Sequence, residues 1–229
     1  MLSEDFILFY PGKRPPSPIM IRTGLPKLDS FIAGKLKFAG LLQLSGEAGA
    51  GKSQLLFSII ANNALRNLRI LLFDSQLKFR PERVRQMVPT DTSVNILEKV
   101  DVLQSGDPFV IYQRAIEALS SSYDLILFDD MAEPFLSQGY KSRESSMLSL
   151  LGRKMNVWAL MKGRFVVATQ RLSFNPLLQQ NIPLGEDLLA PYLLSEFRLS
   201  KLKDYYSISW EGSGEVSRFT ITEEGLKEI

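Results

Sequence analysis

Apolar residues along this chain follow two rhythms. Runs that are wholly or mostly apolar occur at residues 41–44, 70–73, 125–128 and 165–169. Between them, apolar residues return every three or four positions. Leu25, Leu28, Phe31 and Ile32 predict a short helix, and Leu55, Leu56, Ile59, Ile60 and Leu65 predict a helix over 52–67. Further helices are predicted at 81–87, 109–119 and 142–161, with a short strand at 100–103. In the long helix, Met147, Leu148, Leu151, Met155 and Trp158 form a core stripe. Strands that are apolar on both faces, joined by helices, specify a parallel sheet covered on both sides. After Gln170 the pattern becomes a polar stretch with Pro and Gly, read as a loop. Alternating sequence then returns around 196–202, 205–210 and 217–222, with turn signals at Lys203-Asp204 and Gly212-Ser213-Gly214. These last strands predict an antiparallel extension, and Trp210 is expected to pack on it. Residues 1–22 read as an arm, broken by Pro11, Pro15, Pro16 and Pro18, and residues 23–229 as one core. The apolar piece at residues 6–10 is expected to pack on that core.

Composition narrows the chemistry. The 229 residues include no cysteine and no histidine. Disulfides, thiolate nucleophiles, imidazole bases and Cys/His metal sites are therefore excluded. What remains is carboxylates, lysine, arginine, hydroxyls, amides, backbone N–H groups and hydrated cations. A net charge of +2 does not by itself imply a polyanionic partner. No apolar run approaches the ~20 residues of a membrane span, and the N-terminal stretch lacks the pattern of a secretory signal. The expectation is a cytoplasmic protein without a membrane partner.

The sharpest motif is Gly46-Glu47-Ala48-Gly49-Ala50-Gly51-Lys52-Ser53, followed by Gln54. It fits G-x-x-x-x-G-K-[ST] and sits between an apolar strand and an amphipathic helix. Glycines let successive N–H groups curl toward phosphate oxygens, and the helix start adds partial positive charge. Lys52 then reaches the terminal phosphates and Ser53 the Mg²⁺. A second element is the apolar strand ending in Asp129-Asp130, where Asp129 is expected to support the Mg²⁺ shell. Asp74 and Gln170 also fall at the carboxyl ends of strands, where open α/β sheets bind ligands.

In these residues the chain resembles the RecA-like recombinases, most closely the archaeal RadA type and its short, RadB-like paralogues. Thr23-Gly24-Leu25-Pro26-Lys27-Leu28-Asp29 resembles their TG-x-x-x-LD opening, and residues 46–54 their GE-x-x-x-GK[ST]Q loop. Phe79-Arg80-Pro81-Glu82-Arg83 matches an FRPER segment, and residues 219–226 resemble an F-x-ITEEGI ending. Thr169-Gln170 resembles a strand end whose Gln contacts the γ-phosphate. The resemblance implies an α/β, RecA-like P-loop ATPase core: a mostly parallel sheet with helices on both faces and a C-terminal antiparallel extension. It implies ATP and Mg²⁺ as ligands and a role in recombination or DNA repair.

The departures are specific. Gln76 stands where the family has a glutamate that activates the attacking water, and an amide has almost no basicity. Gln76 and Gln170 are thus the candidate catalytic positions, with weak or absent hydrolysis expected. Only the arm precedes Thr23, so the family's N-terminal DNA-binding domain is not expected. Residues 211–216 lack the segment with which a recombinase protomer caps its neighbour's ATP. Homo-oligomers stay open, as does assembly with a RadA-type recombinase or another paralogue. The family's two DNA loops fall at about 133–143 and 171–188, which nominates Tyr140, Lys141, Arg143 and Arg171 for single-stranded DNA. Arg80 and Arg83 are expected to serve packing or an interface instead. Two other readings stay open: a regulatory protein that binds a recombinase without touching DNA, and a KaiC-like signalling ATPase.

Overall fold

The computed structural model describes residues 15–89, 95–137, 139, 142–210 and 214–229. Strands β1 (Leu41–Gly46), β2 (Ile70–Asp74), β3 (Val100–Gln104), β4 (Leu125–Asp129) and the first half of β5 (Phe165–Asn175) run parallel, in the order β1-β5-β4-β2-β3. β7 (Leu193–Lys201) joins the other edge of β1, also parallel. It begins an antiparallel blade continued by β8 (Tyr206–Trp210), β9 (Gly214–Thr222) and β10 (Gly225–Glu228).

Helices cover both faces, because the parallel strands present apolar residues to both. On one face, α1 (Pro26–Lys35) and α2 (Lys52–Ala64) bury Leu28, Ile32, Leu55 and Ile59 against Leu42, Leu44, Leu72, Leu127 and Val167. On the other, α4 (Pro108–Ala118) and α6 (Arg143–Lys162) bury Ile111, Leu148, Leu151 and Met155 against Leu41, Phe73, Ile126, Phe128 and Val166. Phe73 and Phe128 stack on that second face with ring centroids 4.5 Å apart. The stripe on α6 is core, with Trp158 buried and Met147 partly so. Trp210 packs edge-on against Phe31 at 5.3 Å, and its indole N–H donates to Ser195 Oγ. Shorter helices are α3 (Pro81–Gln86), α5 (Glu133–Leu136) and α7 (Glu186–Leu189).

One prediction needs correction, and one segment without a predicted element has one. The stretch after Gln170, read as a loop, continues as strand β5 to Asn175 and returns as β6 (Gln180–Pro183), an antiparallel hairpin. Its turn closes because Asn175 Oδ1 accepts from the N–H groups of Leu177 and Leu178, and Gln179 takes a left-handed φ of 54°. The ITEEG segment is also a hairpin: Thr222 faces Gly225, and β10 forms an edge strand the sequence pattern did not show. Residues 6–10 of the arm lie outside the described residues. Its described end packs on the core, with Ile21 buried and the Ile19 N–H donating to Gly163 O.

The TG-x-x-x-LD opening is structural. Asp29, nearly buried, accepts from the Thr23 N–H at 2.6 Å and from Thr23 Oγ1 at 2.7 Å. Ser58 Oγ of α2 donates to Thr23 O, and Asn63 exchanges hydrogen bonds with the Arg22 backbone. The phosphate-loop helix is thereby fastened to the segment that precedes α1. Replacing Asp29 by Ala strands two buried donors, so Asp29→Ala is expected to lower stability by about 2 kcal/mol. A urea titration followed by circular dichroism checks this; an unchanged midpoint contradicts it.

Candidate functional site

Most of the chemistry-bearing residues converge at the carboxyl edge of the parallel strands. β1 delivers the phosphate loop, β4 delivers Asp129 and β5 delivers Thr169 and Arg171. They line a cleft of about 460 Å³ together with Lys52, Ser53, Gln54, Gln76, Lys78, Asp130 and Glu133, and with Tyr206 and Ile221 of the antiparallel blade.

The loop turns into α2 at Gly51, whose φ of 88° is left-handed and favours glycine. Lys52 lies back along the loop, donating to Gly46 O at 2.7 Å and Glu47 O at 2.9 Å. Burial lowers its pKa, while the nearby carboxylates of Asp130 and Asp129 oppose that shift. Asp129 is buried, and its Oδ1 accepts from Thr169 Oγ1 at 2.8 Å. Among the described residues no group of three acids forms a metal cage. One carboxylate and one hydroxyl, Asp129 and Ser53, are what a largely hydrated Mg²⁺ arriving with phosphates requires. The residues present therefore fit a Mg²⁺–nucleoside triphosphate.

Asp130 serves another purpose. Its Oδ1 accepts from the N–H groups of Ala132 and Glu133, which starts α5. Burial pushes its carboxyl up to about 6 despite those two bonds.

The Gln76 turn is stitched in place at both ends. Asp74 accepts from the N–H groups of Lys78 and Phe79 and from Gln104 Nε2. Ser75 donates through its N–H and Oγ to Asp129 O, and through Oγ to Asp130 O. Leu77 adopts a left-handed φ of 55°, and Gln76 Nε2 donates to Glu133 Oε2. Glu133 Oε1 pairs with Arg171 Nη1 at 3.0 Å. From the sequence, Glu133 is only the start of the first candidate DNA loop, an acid that dilutes its positive charge. The only local signal, an acid three residues after Asp130, does not reveal that it meets Gln76 across two strand ends.

The remaining predicted residues separate. Gln170 is fully buried, and neither atom of its amide has a hydrogen-bond partner. Thr169 points to the Asp129 face, so its successor Gln170 points to the opposite face, away from the phosphate loop. Arg143 begins α6, and its guanidinium lies over the Phe109 ring. Tyr140 and Lys141 lie outside the described residues. Gln54, beyond lining the cleft, accepts from Arg83 Nε at 2.8 Å. Arg83 also donates to Thr222 O and Glu223 O, both at 2.6 Å, so the FRPER and ITEEG segments meet through one side chain. Arg80 starts α3 as its N-cap, without a side-chain capping bond.

The chain is similar to two proteins named DNA repair and recombination protein RadA. With that of Methanocorpusculum labreanum it shares 25% identity over 186 residues, covering 77% of this chain and 55% of the relative. With that of Methanoculleus marisnigri it shares 30% over 89 residues, covering 35% of this chain and 28% of the relative. The chain therefore spans about half the length of these relatives, or less. No protein-family model matches it. The similarity and the sheet order together make the fold an α/β, RecA-like core with a C-terminal antiparallel extension. No helix among the described residues is long and apolar enough to cross a membrane.

Arg83→Met keeps the side chain's bulk but leaves the two β9–β10 turn carbonyls and Gln54 without their donor. It is expected to cost about 2 kcal/mol, the scale of charge-assisted hydrogen bonds at a half-buried site. Thermal melting measures this, and a melting temperature equal to wild type contradicts it.

Proposed function

We propose that the protein is an ATP-binding, RadB-like relative of RadA that acts as an accessory factor in recombinational DNA repair and hydrolyses ATP slowly. One observation carries the reading: the phosphate loop, Ser53 and Asp129 share a cleft with Gln76, the residue that the resemblance to RadA sets opposite a catalytic glutamate. The backbone N–H groups of 47–53 and Lys52 would hold the phosphates, and Ser53 and Asp129 the Mg²⁺ shell. The bound metal would supply charge neutralisation on the phosphates. Gln76 orients water but does not accept its proton.

The hairpin β5–β6 favours protein contact over DNA contact. Arg171 is the single cation in residues 171–188, and Glu133 already pairs it. The tip presents Phe174, Leu177 and Leu178, with Leu177 92% exposed. An apolar tip without free positive charge suits a recombinase partner better than a phosphate backbone.

Equilibrium titration with a fluorescent ATP analogue and Mg²⁺ tests the first reading. Wild type is expected to bind, and Lys52→Ala to lose most affinity; equal binding by both removes the proposal. Steady-state turnover by wild type at the rate of an active recombinase contradicts slow hydrolysis. For the hairpin, Leu177→Asp/Leu178→Asp is expected to abolish capture of the cognate recombinase. Intact capture, or salt-sensitive single-stranded DNA binding by wild type, overturns the partner assignment.

A further inference from the structure

We infer that Glu133 is the carboxylate base of this site, standing in from another element for the glutamate that Gln76 replaces. The inference rests on the nucleotide-binding reading above and assigns the proton-accepting step within it.

Three observations place Glu133 there. Its side chain lines the same cleft as Lys52, Ser53 and Asp129, and remains one-third exposed, so water reaches it. Its two oxygens are held from opposite sides, Oε2 by Gln76 Nε2 and Oε1 by Arg171 Nη1. Its backbone is pinned as well, because its N–H donates to Asp130 Oδ1 at the start of α5. The turn carrying Asp130 is in turn fixed to β5 through the Met131 N–H and Thr169 O. A carboxylate with this much support is aimed, unlike a loose surface acid. Each carboxylate oxygen has two lone-pair sites, so both bonds leave acceptor capacity for a water.

The arrangement inverts the expected order of parts. The carboxylate comes from the end of β4 instead of the end of β2, and the residue at the β2 end is the donor that orients it. Gln76 suits that role, because an amide donates to a carboxylate, whereas a glutamate there would repel it. Gln76 and Arg171 are accordingly positioning residues and Glu133 the catalytic one.

The step balances without a further reagent. The Glu133 carboxylate takes one proton from a water as the water oxygen bonds to the γ-phosphorus. The bond from that phosphorus to the oxygen bridging it to the β-phosphate breaks, and its electron pair leaves with ADP. Inorganic phosphate departs, and Glu133 passes its proton to solvent.

Single-turnover hydrolysis of radiolabelled ATP with Mg²⁺ tests this, with nucleotide affinity and melting temperature measured on each variant. Glu133→Gln is expected to lower the hydrolysis rate about 100-fold, the usual scale of a positioned base, with affinity equal to or tighter than wild type. The exchange variant Gln76→Glu/Glu133→Gln keeps a hydrogen-bonded amide–carboxylate pair with its members swapped, and is expected to recover at least about tenfold of that loss. Hydrolysis by Glu133→Gln at the wild-type rate overturns the assignment. So does a parallel loss of affinity and melting temperature with no recovery in the exchange variant, which marks a purely structural residue. Wild type that binds ATP with no single-turnover hydrolysis rejects the base while leaving the nucleotide-binding reading intact; failure to bind ATP rejects that reading itself.

Discussion

The guanidinium of Arg83 is the tie on which the arrangement of this molecule turns. It reaches Gln54 on the phosphate-loop helix, the two carbonyls at the β9–β10 turn and Gln86 on its own helix. Helix α2 is thus held near its start by Arg83 and along its length by the Thr23 and Arg22 backbone. A helix that presents its N-terminus to phosphate must keep a fixed aim, because its N–H groups act over hydrogen-bond distances only. Packing of apolar side chains sets the helix on the sheet. The polar ties at both ends stop it sliding or rotating there.

How much of this was legible depends on the reach of each interaction. The parallel strands were plain because burial on both faces writes a contiguous apolar run, and the phosphate loop because its parts are adjacent in sequence. The β5–β6 hairpin and β10 were not, since Ser173, Asn175, Gln180 and Lys227 carry no apolar alternation and pairing there rests on backbone bonds. Gln170 was assigned to the phosphate side from its place at a strand end, but a period of two sends it to the other face. Glu133 was invisible for the opposite reason: its partners Gln76 and Arg171 are brought to it by strand order alone.

The cleft balances opposite charges at close quarters. Lys52, Lys78 and Arg171 face Asp129, Asp130 and Glu133. The lysine is occupied by the loop's own carbonyls and the arginine by Glu133. A polyphosphate in this cleft would compete with the loop carbonyls for Lys52, while Arg171 stays paired with Glu133.

The root of the phosphate loop has no slack. Gly46 lies between β5 and β7, and a methyl group placed on it would meet Leu199 O at 2.6 Å. Interiors this tightly packed transmit displacement instead of absorbing it. The antiparallel blade beyond β7 carries Tyr206 and Ile221 back over the same cleft. The blade and the loop thus form a closed mechanical circuit, joined at the root of β1 and again at the cleft mouth. Displacement of either arm therefore bears on the other, and on the β9–β10 turn that Arg83 ties to the same helix.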